Sequence, residues 1–247
     1  MEGVLNLPPA PTLTDFLTVL TGAGVSAESG IRTFRDAGGL WESHRLEEVA
    51  SPPAFARDPE LVWRFYKARW ENASRARPNP AHEALAAMGA ALAGRFVLIT
   101  QNVDGLHQCA GSAGVLDMHG SLHRCRCTRC DTHYSMRNVD LTPALPACPA
   151  CGGLLRPDIV WFGEMPHYLD EIEVALRRTT LFLVAGTSGV VYPAAQFVQM
   201  ARRNGASAIG VNLEPPDNIA CFDTFIQGRA GVVLPQLAAA WLDADKS

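Results

Sequence analysis

The chain has 247 residues, 48% hydrophobic and 19% charged, with 21 Lys and Arg against 25 Asp and Glu for a formal charge of −4. Usage close to the globular average excludes wholesale disorder, and the slight acidic excess excludes a general electrostatic footprint for nucleic acid, though not a local basic site. No run approaches the roughly 20 apolar residues of a membrane span, and the start MEGVLNLPPAPTLTD lacks the order of a secretory signal, so the expectation is a cytoplasmic protein with no membrane partner.

After the Pro-rich start, FLTVLTG (16–22) is a β-rich apolar run ending at glycine. Residues 80–93, PAHEALAAMGAALA, join helix formers to a proline start and stop at Gly94. FVLIT (96–100), VLDMH (115–119) and DIVWF (158–162) read as strands, and YLDEIEVALRRT as a helix leading into LFLVAGTS (181–188). A second helix near 193–204 leads into SAIGVNL (207–213). Apolar strands alternating with amphipathic helices predict an α/β fold with a Rossmann-like, doubly wound parallel sheet. Two stretches break the alternation: a helical one from about 38 to 90, and one from about 121 to 156 in which cysteine and histidine cluster. The expected division is therefore residues 1–37, 91–120 and 157–247 in the sheet domain, with 38–90 and 121–156 forming a smaller second domain.

TGAGVSAESG (21–30) follows a strand, and Gly22, Gly24 and Ala27 fit G-x-G-x-x-G/A, where small residues let backbone N–H groups approach a pyrophosphate. An ordinary glycine turn between strand and helix would look the same. No acidic residue ends a second strand some 20 positions on, so a bound dinucleotide would need its ribose held from elsewhere.

Cys127-x-x-Cys130 and, 17 residues later, Cys148-x-x-Cys151 supply the four soft ligands of tetrahedral zinc. Four protein ligands leave no open position, which predicts a structural metal; the alternative is four unligated thiols. Cys109 and Cys125 read as spare thiols and Cys221 as packed. Arg124, Arg126 and Arg129 beside the ligands keep a nucleic-acid-binding zinc ribbon open.

TQNVDGLH (100–107) and MHG (118–120) follow apolar runs, where open α/β sheets carry their ligand sites. Gln101, Asn102 and Asp104 offer donors and acceptors to an amide and a ribose, and His119 can serve as a base near neutral pH. A zinc ligand or a packed histidine are the other readings of His119. In WRFYKARW (63–70), Tyr66 and Arg69 share a helix face at i and i+3. They can converge on a nucleic acid, a substrate anion or a neighbouring carboxylate such as Glu47, Glu48 or Glu71. Trp63, Phe65 and Trp70 read as packing residues, and Arg64 and Lys67 as solvent-facing.

Taken together, GAGVSAESGI–TFR, TQNVDGLH, HG, the two cysteine pairs, GTS and VNLE resemble, in order, the sirtuins, NAD-dependent protein-lysine deacylases, from Thr21 to about Pro235. The resemblance implies that NAD is enclosed by Gly22, Ala23, Gly24, Ser26 and the loop to Trp41, including Phe34 and Arg35. Gln101, Asn102 and Asp104 match residues facing nicotinamide and its ribose, and Gly186, Thr187 and Ser188 match a second cofactor contact. Asn212, Leu213 and Glu214 match the adenosine-ribose grip, and Ala230 a late contact with adenine. The four cysteines match one structural zinc, His119 matches the general base, and Asn102 joins it as a catalytic residue.

In that family the acyl oxygen of a modified lysine attacks the nicotinamide ribose, and the products are nicotinamide, free lysine and 2′-O-acyl-ADP-ribose. The partners implied are acylated-lysine proteins, bound as an extended strand near Val160, Phe162, Gly163, Glu164 and Val190, with no stable nucleic-acid partner. Tyr66 and Arg69 fit the Y-x-x-R pattern of the branch preferring acidic acyl groups, and Ala50 matches a small pocket residue of that branch. The expected activity is removal of succinyl and malonyl groups with weaker deacetylation. The alternatives are a predominant deacetylase and a mono-ADP-ribosyltransferase on the same fold.

Overall fold

The computed structural model describes residues 7–12, 14–32, 40–41 and 44–244, with only the backbone described for 40, 41, 44–47 and 244. Among these, strands β1 (Leu17–Thr21), β4 (Phe96–Thr100), β5 (Leu116–Asp117), β9 (Leu181–Ala185), β10 (Ser207–Asn212) and β11 (Thr224–Gln227) form one parallel sheet in the order β11-β10-β9-β1-β4-β5. β2 (Leu40–Trp41) and β3 (His44–Arg45) pair with each other. β1 lies between β4 and β9, with Thr21 opposite both Thr100 and Ala185. The chain builds outward to β5 on one side, then returns to the other side for β9 to β11. The order therefore reverses beside β1, the switch point where open α/β sheets hold ligands beyond the carboxyl ends of their strands.

Every residue of β1 is buried, as a strand covered on both faces requires. Leu17 and Val19 point into a core completed by α5 (Pro80–Ala91) and α9 (Ala230–Ala244), through Leu85, Met88, Leu234 and Leu237. Leu20 points the other way, into a core with Ile172, Leu176, Phe197 and Val198 of α7 (Leu169–Arg178) and α8 (Ala194–Arg203). α5 begins with a reciprocal cap: Asn79 Oδ1 accepts from Ala81 N and His82 Nδ1 accepts from Asn79 N.

The short helix α1 (Ala23–Ser26) packs its Val25 into the first of these cores. A separate core lies under α2 (Leu46–Val49), α3 (Pro52–Arg57) and α4 (Pro59–Arg75), which pack on a three-stranded antiparallel sheet in the order β7 (His133–Ser135), β6 (Gly120–Cys127), β8 (Leu155–Ile159). Asp58 caps α4 by accepting from Leu61 N. Trp63, Phe65 and Tyr66 are buried, and the indole N–H of Trp63 donates to Leu155 O at 2.9 Å, fixing α4 to β8. Arg64 lies outward beside Glu60.

Several strand expectations change. The apolar run DIVWF is not a strand of the parallel sheet: β8 ends at Ile159 and pairs antiparallel with β6. An apolar run carries no label for which sheet it joins; Gly120, with φ +84 and Asp158 O pressed against it, makes the turn that sends β6 away from β5. VLDMH contributes only two strand residues. β11 and α9 carry no reading in the sequence; α9 contains Pro235 and is apolar almost all round, so it shows no helical stripe. Lys67 is not a solvent-facing cation, since its ammonium donates to Leu141 O and Pro143 O. No helix among the described residues is long and apolar enough to cross a membrane.

Candidate active site

The carboxyl ends of β1, β4, β9 and β10 deliver Gly22, Gln101, Gly186 and Leu213 to one edge of the sheet. The glycines there are required first by each other. A Cβ on Gly24 would stand 2.8 Å from Gly186 Cα, and Gly186, at φ +65, has its own space filled by Val25 N. Gly24 N donates to Gly186 O at 2.8 Å, locking the two loops together. This close approach is the physical reason for the glycine pattern, with backbone of β9's loop standing where larger side chains would sit.

Around this edge the polar groups hold one another in place. Asn102 Nδ2 donates to Gly22 O and to Ser26 Oγ, both at 3.0 Å, leaving Oδ1 as the acceptor of a buried amide. Gln101 Nε2 donates to Thr187 Oγ1 at 3.1 Å, and Asn212 Nδ2 to Thr187 O at 2.9 Å, so residues from three strand ends meet at Thr187. Asp104 is buried and accepts from Leu106 N. The backbone N–H of Gly231, next to Ala230 at the start of α9, donates to Glu28 Oε1 at 2.8 Å. Leu213 is exposed, as is Glu214. Ala23 lies in the four-residue helix α1 and Ser188 in the loop after β9. Phe34 and Arg35 lie outside the described residues, as does the Trp41 side chain.

Beneath Asn102 is a polar layer the sequence did not disclose. Thr21 Oγ1 donates to Thr100 Oγ1, and His107 Nε2 is 2.9 Å from Thr21 Oγ1. With that hydroxyl proton committed, the imidazole is the donor. His107 Nδ1 is buried without a partner among the described residues. Burial, and then the nearby His82, push the His107 pKa down to about 3, so the ring is neutral.

His119 follows β5 at the same edge. Its Nδ1 lies 3.1 Å from Gln101 O, and since a carbonyl only accepts, Nδ1 carries the proton and Nε2 holds the free lone pair. Burial lowers the His119 pKa, opposed by the bond to Gln101 and assisted by His167. The result is a neutral imidazole able to accept a proton.

On the other side of His119, its carbonyl accepts from Val160 N, and Ala50 O accepts from Phe162 N. Those two bonds tie the 160–164 segment to the backbone of His119 on one side and of Ala50, between α2 and α3, on the other. Phe162 and Val190 are exposed, and Gly163 has φ +91. Glu164 is held by Arg156 through both oxygens, at 2.6 and 2.9 Å.

Ala50, Tyr66 and Trp161 belong to one core cluster. Tyr66 is 1% exposed, and Trp161 Nε1 donates to its oxygen at 3.0 Å. Burial raises its pKa to about 12, so it keeps its proton and can donate it. The Arg69 guanidinium lies over the Phe65 ring, 5.6 Å from its centroid, and acts electrostatically on Tyr66. Trp161 and Arg156, which stacks 3.5 Å from the Trp161 ring centroid, were missed in the sequence. An arginine eight residues before a glutamate carries no local signal.

The sulfurs of Cys127, Cys130, Cys148 and Cys151 all lie within 4.8 Å of one another. Three of the separations are 3.5, 3.7 and 3.5 Å. A tetrahedron with Zn–S near 2.3 Å requires sulfurs about 3.8 Å apart, so the donor set fits zinc and closes its coordination. Cys125 is buried outside this group, Cys109 is exposed and Cys221 half-buried.

The model of the Sir2 family matches residues 22–193. NAD-dependent protein deacylase 2 of Pyrobaculum aerophilum is 53% identical over 222 residues, covering 89% of this chain and 88% of that protein. The NAD-dependent protein deacylase of Bdellovibrio bacteriovorus is 49% identical over 231 residues, covering 92% and 97%. Among solved structures, a Sir2 homologue in complex with NAD matches with a TM-score of 0.86 at 44% identity, covering 92% of this chain and 90% of that one. A Sir2 homologue in complex with ADP-ribose matches with a TM-score of 0.87 at 44% identity, covering 93% of each. Similarity at this level, over nearly the full length and across the sheet edge just described, makes the chain a member of the Sir2 family, an NAD-dependent protein deacylase with a structural zinc site.

Proposed function

We propose that this enzyme removes succinyl and malonyl groups from protein lysines and acts more weakly on acetyl-lysine. The observation carrying this reading is the buried phenol of Tyr66, oriented by Trp161 and one helical turn from Arg69, in a core cluster with Ala50. A phenol whose oxygen already accepts from Trp161 has its proton left to give. Beside a guanidinium it offers a distal carboxylate charge-assisted bonds of about 1.5–3 kcal/mol each. An acetyl group offers no carboxylate, and at 1.4 kcal/mol per tenfold the difference is about 10–100-fold in favour of succinyl. Ala50 leaves room for the longer chain.

In this reading NAD supplies a ribose carbon that takes the acyl oxygen as nicotinamide departs. Gly22, Ala23, Gly24 and Ser26 would enclose it, with Phe34, Arg35 and Trp41 assigned to the same role by the family resemblance alone; Gln101, Asn102 and Asp104 would hold its nicotinamide end. Gly186, Thr187, Ser188, Asn212, Leu213, Glu214 and Ala230 hold the remainder. Asn102 offers Oδ1 from an amide whose hydrogens are both committed, so it cannot turn away without losing two bonds. His119 accepts a ribose hydroxyl proton at Nε2 while Nδ1 stays anchored to Gln101 O.

The acylated protein adds as an extended strand along Val160 to Glu164 and near Val190, between an NAD-binding unit (1–37, 91–120, 157–247) and a small unit (38–90, 121–156). The separate cores support two units but move one boundary: α5 packs in the sheet core with α9, so the helical part of the small unit ends with α4, before Pro80 and not at residue 90. We further infer a cytoplasmic enzyme without a nucleic-acid partner: Arg124 and Arg126, two of the three arginines beside the cysteines, are already engaged by Asp117, Asp158 and Asp131.

The test compares succinyl-, malonyl- and acetyl-lysine peptides in wild type and Arg69→Met. Loss of the acidic-acyl preference with acetyl turnover retained is expected; identical ratios in both proteins would overturn the proposal.

A further inference from the structure

Beside the Val160–Glu164 segment, outside the NAD edge and the acyl pocket, the structure holds a polar cavity of about 210 Å³ lined by Arg126, Asp158, Val160, Glu164, Met165 and His167. Its chemistry is set by Asp158, which is 3% exposed. One oxygen, Oδ2, accepts from Arg124 Nε at 2.9 Å. The other, Oδ1, has cationic or basic neighbours only at ion-pair range: His133 Nε2 at 3.6 Å, and His167 Nε2 and Arg126 Nε at 3.9 Å. Glu164 is tied to Arg156 and to Trp161 N.

The surrounding charges do not balance. Arg124, Arg126 and Arg156 face Asp117, Asp131, Asp158 and Glu164, so three guanidiniums meet four carboxylates. Arg126 is shared among three of those carboxylates, at 3.2, 3.9 and 3.7 Å, and has little field left for a further anion. An incoming carboxylate would also face Asp158 Oδ1. An incoming cation would find an acceptor there, while its aliphatic stem lay along Val160 and Met165, which is 75% exposed at the rim.

We propose that this cavity is a subsite for a lysine or arginine side chain of the substrate protein, within two residues of the acylated lysine. The proposal rests on the reading of Val160–Glu164 as the peptide-binding segment and adds to it a charge preference for the flanking sequence. Such a partly exposed pair corresponds to a preference of about 1.5- to fivefold, reduced by added salt.

The experiment uses the full chain with zinc and NAD and a succinyl-lysine peptide panel carrying Lys, Ala or Glu at each of the two positions before and after the modified residue. Expected is one position at which Lys exceeds Ala about 1.5- to fivefold in kcat/KM and Glu falls below Ala. Met165→Lys, which puts a competing charge at the exposed rim, should erase that preference, and Met165→Glu should enlarge it. Equal kcat/KM for all three residues at all four positions, a preference for Glu, or a Lys preference unaltered in both Met165 variants would overturn the subsite. If the all-Ala peptide is not turned over, the desuccinylase reading fails instead. Anisotropy of the same labelled peptides then decides the subsite, equal affinities overturning it.

Discussion

The indole N–H of Trp161 donates to the oxygen of Tyr66 across 3.0 Å, joining the segment after β8 to the middle of α4. Both side chains are at most 2% exposed, so neither group can turn to water if the other is removed. Trp161→Phe should therefore free the phenol to rotate, lowering kcat/KM on succinyl-lysine about three- to tenfold while acetyl-lysine turnover changes less. Tyr66→Phe leaves the indole N–H buried without an acceptor and should cost about 1–3 kcal/mol of stability, read as a lower denaturant midpoint. Equal losses on both acyl groups in Trp161→Phe would count against the orienting role.

His119→Ala should keep NAD binding, measured by calorimetry, and lose about 10²–10⁴ in deacylation. Because burial lowers the pKa of His119 in the folded protein, the neutral base persists below the ordinary histidine range. The acid limb of kcat should accordingly fall below pH 6.5. A limb at or above that value would show that another group is titrating.

The zinc site predicts a stability effect reaching Tyr66 and Trp161. Cys127 and Cys148 are members of the same core cluster as Tyr66 and Trp161, and Tyr134 Oη lies 3.2 Å from Cys148 Sγ. Cys127→Ser, or a strong chelator, should reduce zinc from one per chain toward zero by elemental analysis and lower the melting temperature by several degrees or more. Retained stability without metal would show that the four sulfurs are held by packing alone.

His107 makes stability depend on pH. Its folded-state pKa of about 3 lies below the unfolded value near 6.5, so the unfolded chain takes up the proton first. The contribution is complete above pH 6.5 and is lost progressively as pH falls from 6.5 toward 3. His107→Gln keeps a donor for Thr21 but cannot titrate, and it should lose less stability than wild type between pH 7 and pH 5 in urea melts.

Much of this molecule is set by local chemistry that a linear reading reaches. β1, β4, β9 and β10 are continuous apolar runs because both sheet faces are covered, and α7 and α8 show the stripe of helices with one covered face. The cysteine pairs declare a four-sulfur site through spacing alone, and Tyr66 and Arg69 share a face through helical period. What spacing does not encode is which sheet an apolar run will join, or which distant group a buried polar atom will find. Thus Leu155–Ile159 left the parallel sheet for β6, Lys67 found the carbonyls of Leu141 and Pro143, and Trp161 found Tyr66. The proton position on His119 was likewise decided by a carbonyl that folding brings to its Nδ1, and the imbalance around Asp158 by three strands arriving together. Periodicity is a property of neighbours along the chain, whereas desolvation and hydrogen-bond partnership depend on neighbours in space, which exist only once the sheets have packed.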